Sequence, residues 1–90
     1  MQDVRQYLRN YSKTKEGRII LRKLFNIALE NQDITEDDYW ILIYAYAECR
    51  MRENTCAKLH IRTTKYNSML NEALIKINFT INKLDKIRLL

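Results

Sequence analysis

The sequence predicts an all-α protein: a small helical bundle of about five helices containing a helix-turn-helix. Three observations carry this. The 90 residues include one glycine and no proline, which leaves a turn-rich β architecture without its turn residues. Apolar residues recur at i, i+3, i+4 and i+7 along most of the chain, the spacing of one helix face. The one extended apolar run, residues 39–47, follows Thr35-x-x-Asp38, a helix-start signature.

A chain of 90 residues predicts a single domain. With 47% apolar residues and no low-complexity tract it is a folding sequence rather than a disordered one. Residues 1–33 form N-terminal helices, 34–77 a helix-turn-helix unit, and 78–90 a C-terminal helical extension.

The first helix, residues 3–11, carries Val4, Tyr7, Leu8 and Tyr11 on one face. A polar break at 12–15 precedes a second helix over 15–31. Its apolar residues Ile19, Ile20, Leu21, Leu24, Phe25, Ile27 and Ala28 form a face broad enough for two neighbours. Gly17 falls in its first turn. After the 31–33 connector, Thr35 and Asp38 make a capping box, and Glu36, Asp37 and Asp38 sit where a helix dipole favours acids. The third helix, 36–52, is apolar nearly all round over 39–47 and is therefore central. Asn54 is the expected cap of a short fourth helix over 55–59, 60–62 is a turn, and Thr63 is the expected cap of the fifth. That helix buries Tyr66, Met69, Leu70, Ala73, Leu74 and Ile77 and continues through Ile81, Leu84 and Ile87. The last residues of this pattern need a cover, either the N-terminal helices or a second copy of the chain, so a homodimer is an expected partner state.

No run approaches the ~20 apolar residues that cross a bilayer, and the N-terminus lacks the apolar core of a secretory signal. The expected location is the cytoplasm, with no membrane partner. There Cys49 and Cys56 are expected as thiols. Cys56 and His60 have a helical i,i+4 spacing, but a metal site needs about four ligands and no second Cys/His cluster exists. No metal or cofactor is expected. A Ser/His/Asp set and a glycine-rich phosphate loop are both absent, which argues against an enzyme.

The net charge of +5 is unevenly spread. Residues 1–33 hold seven basic and four acidic side chains, 34–53 two and five, and 54–90 seven and two. The most basic segment is thus the one with the helix-turn-helix pattern, as phosphate binding requires. In such a unit the second helix enters the major groove and its first exposed residues meet base edges. Here those are Thr63, Thr64, Lys65, Asn67, Ser68 and Asn71. They are mostly uncharged hydrogen-bonding residues, whereas an idle solvated face is more often laced with Lys and Glu. Lys58, Arg62 and Lys76 are placed for phosphates.

Residues 55–77, TCAKLHIRTTKYNSMLNEALIKI, resemble the DNA-binding half of region 4 of the sigma-70 family without a gap. Leu59 and Ile61 fall on its L-x-I, Tyr66 on the buried valine of the second helix, Leu70 on its leucine, Ala73-Leu74 on its AL and Lys76-Ile77 on its closing KL. The register extends upstream, with Ile34-Thr35-Glu36 on LPE, Ile41 on the valine of REV and Tyr46 on the tyrosine of LRY. The family's usual glycine is here His60, its usual serine cap is Arg62, and Glu72 stands where many members are basic. Only 33 residues precede the resemblance, too few for a promoter-melting region 2. The resemblance is therefore to the small region 4-like regulators of phages and mobile elements. It implies double-stranded DNA as ligand and RNA polymerase as partner. A protein-interaction module working through the acidic 34–53 face, and a DNA-packaging recognition subunit, are the alternatives.

Overall fold

A computed structural model describes residues 3–88, with side-chain surroundings described for 3–84. Five helices, α1 (Val4–Ser12), α2 (Lys15–Glu30), α3 (Glu36–Leu42), α4 (Arg52–Leu59) and α5 (Thr63–Arg88), form an all-α bundle. A π-helical turn, Ile43–Ala47, prolongs α3. The described residues contain no strand.

Side chains start the first three helices. Asp3 accepts from the Arg5 N–H, and Thr14 from the Gly17 N–H. At α3 the expected capping box is present: Thr35 Oγ1 accepts from the Asp38 N–H at 3.3 Å, and Asp38 Oδ2 from the Thr35 N–H at 3.0 Å. Gly17 has a stronger role than its first-turn position suggests. A Cβ there would lie 1.8 Å from the Tyr11 carbonyl oxygen, so α2 crosses under the end of α1 only because residue 17 has no side chain.

The core gathers Leu8 from α1, Leu21, Phe25 and Ala28 from α2, Ile41 to Ala47 around the α3 end, and Tyr66, Ala73, Leu74, Ile77 and Ile81 from α5. The 39–47 segment is central, as its apolarity predicts, with Ile41, Leu42 and Ile43 fully buried. Its geometry differs from the expected α-helix to residue 52. The chain widens at Ile43–Ala47, where the Glu48 N–H reaches back to the Ile43 carbonyl, and Cys49 then takes a positive φ of 54°. The wider turn brings Ile43, Tyr44, Tyr46 and Ala47 all to the interior.

Two further expectations change, and a third, left open between two covers, is decided for the described part of α5. Ile19, Ile20 and Ile27 are about half exposed, so the buried face of α2 is the narrower Gly17, Leu21, Leu24, Phe25, Ala28 line. Helix α4 begins at Arg52, three residues before the expected start. Extended Met51 precedes it without a side-chain cap, and Asn54, inside the helix, accepts instead from Arg50 at 3.2 Å. The cover for the end of α5 comes from the same chain. Leu74, Ile77 and Ile81 are buried in the core and Leu84 packs against it, while the Ile87 side chain and Leu89-Leu90 lie outside the described residues.

Helix α5 has 26 residues, about 39 Å at 1.5 Å per residue, and accounts for most of the 43 Å long axis. It is tied to the α2–α3 connector and the first turn of α3 by three polar contacts. Lys76 Nζ meets Asp38 Oδ2 at 2.9 Å, Lys83 Nζ meets Asp33 Oδ1 at 3.0 Å, and the buried Thr80 hydroxyl donates to Asp33 Oδ2 at 3.1 Å. No described helix is long and apolar enough to cross a membrane.

Candidate nucleic-acid interface

Helix α4, a three-residue turn and α5 follow one another across residues 52–88. The turn is made by His60, which takes the left-handed conformation (φ 57°, ψ 44°) and gives its N–H to the Cys56 carbonyl. A residue there must accept positive φ, a conformation that glycine adopts without steric cost and other residues do not. Below the turn, Ile61 donates its N–H to the Cys56 carbonyl at 3.0 Å, so two backbone bonds close the end of α4. The expected cap Thr63 is instead the first helical residue of α5. Arg62 precedes it, with its carbonyl accepting from the Tyr66 N–H at 2.9 Å.

Tyr66 anchors the first turns of α5 in the core. Burial pushes its phenol above the ordinary range, and neighbouring Tyr46 adds to the rise. With Tyr66 inward, Thr63, Thr64, Lys65, Asn67, Ser68 and Asn71 are all exposed. The side chains of the first five have no hydrogen bond or ion pair among the described residues. Asn71 differs, because its Oδ1 accepts from the Arg5 guanidinium of α1. At 3.6 residues per turn, Thr64, Ser68, Asn71, Ile75 and Phe79 share one stripe. Its first part is polar, and its second part carries Ile75 and Phe79 with about two-thirds of their surface exposed.

The three expected phosphate contacts divide. Lys58 and Arg62 are exposed, and Lys58 Nζ lies 5.3 Å from the Tyr44 ring centroid, a cation–π contact that leaves the ammonium at the surface. Lys76 is half-buried and committed to Asp38. The hydrogen bond to Asp38 holds the Lys76 ammonium above its ordinary pKa of 10.5, more than partial burial lowers it. Its charge is thereby largely neutralised at the surface. Partial burial pushes the Asp38 carboxyl up, but hydrogen bonds from Lys76 and from the Thr35 backbone and hydroxyl together bring it below 3.8.

Two features were not read from the sequence. Arg5 of α1 reaches Asn71 on α5, and Arg9 follows it one helical turn later on the exposed surface of α1. Their i,i+4 spacing beside the Val4–Leu8 stripe was the available signal. On the other flank of α5, Trp40 stays 42% exposed in a groove shared with Asp37, Tyr44, Leu59, Ile61, Lys65 and Met69. Cys56 is buried and Cys49 exposed. The described residues contain no group of three or more His, Cys, Asp or Glu placed to hold a metal ion.

Comparison with protein-family models, with curated proteins and with solved structures finds no match to this chain.

Proposed function

We propose that this protein is a sequence-specific DNA-binding transcription regulator of a phage or mobile element, working alongside RNA polymerase, and that the first turns of α5 read bases. The observation that carries the reading is the exposed set Thr63, Thr64, Lys65, Asn67, Ser68 and Asn71 at the start of a helix reached from a short helix by a three-residue turn. Asn pairs bidentately with adenine, Thr meets the thymine methyl, and Lys meets guanine or phosphate. Lys58 and Arg62, at the end of α4 and in the turn, serve the phosphates. A second copy of the chain is the proposed partner for the exposed Ile75 and Phe79, which would make the operator palindromic.

The test is binding to a duplex selected by the protein from a random pool and to an unrelated duplex. Asn67→Ala is expected to cost about 1–3 kcal/mol on the selected duplex and much less on the other, since a base contact carries sequence information. Lys58→Ala is expected to weaken both alike and to flatten the salt dependence by about one unit. If α5-face substitutions leave binding unchanged, the reading is wrong.

One observation favours a second reading, a protein-interaction module. Trp40 is half exposed beside the acidic start of α3, and a groove-lining tryptophan is the residue type most often central to a protein interface. A Trp40→Ala variant that loses function in the cell but keeps DNA affinity would support that role. A packaging subunit would bind DNA in the same assays but would not change transcription from the selected site.

A further inference from the structure

We propose that α1, which lies outside the region 4-like segment, is a second phosphate-binding arm of the interface, with Arg5 and Arg9 contacting the nucleic-acid backbone on the flank of α5 opposite Lys58. The inference rests on the DNA-binding reading above.

The argument begins with the two flanks of the exposed face of α5. Lys65 and Asn71 are six residues apart, hence about 120° apart around the helix. Lys65 shares its groove with Tyr44, and Lys58 lies over the Tyr44 ring, so the cations of α4 serve that flank. Asn71 marks the other flank, where its side-chain oxygen takes a hydrogen bond from Arg5. A helix in the major groove, about 12 Å wide, lies between two phosphate strands. Cations on one flank alone would meet one strand.

Arg5 and Arg9 supply the missing side. Both are exposed, and they follow each other at i,i+4, neighbours on one helix surface. The Arg9 guanidinium has no hydrogen bond or ion pair among the described residues, and Arg5 is engaged only with a neutral amide. Neither charge is therefore neutralised, in contrast to Lys76 and Lys83, which are paired with Asp38 and Asp33. The nearby acid, Asp3, is turned to the Arg5 backbone N–H as the cap of α1.

The experiment measures affinity of the full chain for the selected and the unrelated duplex between about 50 and 200 mM salt. The double variant Arg5→Ala/Arg9→Ala is expected to weaken both duplexes by similar factors and to reduce the salt slope by about two units, because each phosphate contact contributes about 0.9. Arg5→Lys/Arg9→Lys, which keeps both charges, is expected to restore the slope. Circular dichroism is expected to stay unchanged, since both side chains are exposed. If the wild type binds DNA and the double alanine variant matches it in slope and affinity, α1 is no part of the interface and only this inference falls. If the wild type binds neither duplex even at the lowest salt, the DNA-binding reading and the α1 arm fall together.

Discussion

The two halves of α5 treat their polar residues in opposite ways. Between Lys76 and Lys83, three polar side chains are paired with the region around the start of α3: Lys76 with Asp38, and Thr80 and Lys83 with Asp33. From Thr63 to Ser68, the exposed polar side chains have no partner among the described residues. Both halves share one buried line, Tyr66, Ala73, Leu74, Ile77 and Ile81, so the same core holds them in place. A polar side chain already used within the fold has little left to offer a ligand. One that is exposed, unpaired and mounted on a well-anchored helix has its full hydrogen-bonding capacity available at low cost in ordering. The contrast separates residues kept for folding from residues available for recognition.

The sharpest way to break this contrast is to remove the shared anchor. Ile77 is fully buried opposite the exposed stripe, and Ile77→Ala is expected to cost about 2–5 kcal/mol through lost burial and the cavity left behind. Substitutions at Thr64 or Asn67 are expected to stay within about 0.5 kcal/mol of the wild type. Chemical denaturation of the three variants checks this. A large destabilisation from Asn67→Ala would mean that its side chain serves the fold and would undo the distinction.

How much of this was legible beforehand follows from the range of each interaction. The all-α class, the central 39–47 segment and the Thr35–Asp38 capping box rest on local periodicity and on residues three apart, and they appear as expected. The π-helical turn does not, because Ile43 to Ala47 reads equally well as one more turn of α-helix. What decides is how much of that circumference the surrounding helices enclose. The expected cap at Asn54 lost to an extended Met51, whose carbonyl accepts from the Thr55 N–H, a backbone solution with no side-chain signature. At the candidate site, the exposure of the six α5 residues follows from helical spacing. The loss of Lys76 to Asp38, 38 residues away, and the approach of Arg5 to Asn71, 66 residues away, are tertiary facts that no local pattern encodes.

A change of pH sharpens the contrast from the paired side. Asp38→Asn at neutral pH is expected to cost about 1.5–3 kcal/mol, the range for a hydrogen bond to a charged group. The folded carboxyl of Asp38 titrates below its ordinary 3.8, so its stabilisation is fully present above that value and is lost as pH falls through the lowered one. Lys76 is raised above 10.5, so its share is complete at and below that value and is lost only as pH rises beyond it. Between these limits the pair contributes no pH dependence. Melting temperatures of wild type and Asp38→Asn are expected to converge as the solution is acidified below about pH 4, where the ordinary carboxyl titrates. A gap that persists unchanged at that acidity would show that the carboxylate charge is not what holds the second half of α5.

A smaller effect than at Ile77 or Asp38, and of opposite sign, is expected at the turn that precedes the unpaired half. His60 holds a left-handed backbone at φ 57°, a conformation that costs an ordinary residue about 1–2 kcal/mol and glycine almost nothing. Its side chain is exposed and makes no hydrogen bond among the described residues, so its removal forfeits no contact. Glycine brings its own penalty, about 0.5–1 kcal/mol of additional unfolded-state freedom. The difference leaves His60→Gly stabilising by about 0.5–1 kcal/mol, with the two backbone bonds to the Cys56 carbonyl retained. The readout is the denaturation midpoint at constant slope. DNA affinity in the same variant is expected to be unchanged, because α5 is positioned by Tyr66 and the core line rather than by the residue at the turn. A His60→Gly protein that is more stable but binds DNA more weakly would place the imidazole itself at the interface, and the recognition surface would then extend from α5 back into the turn.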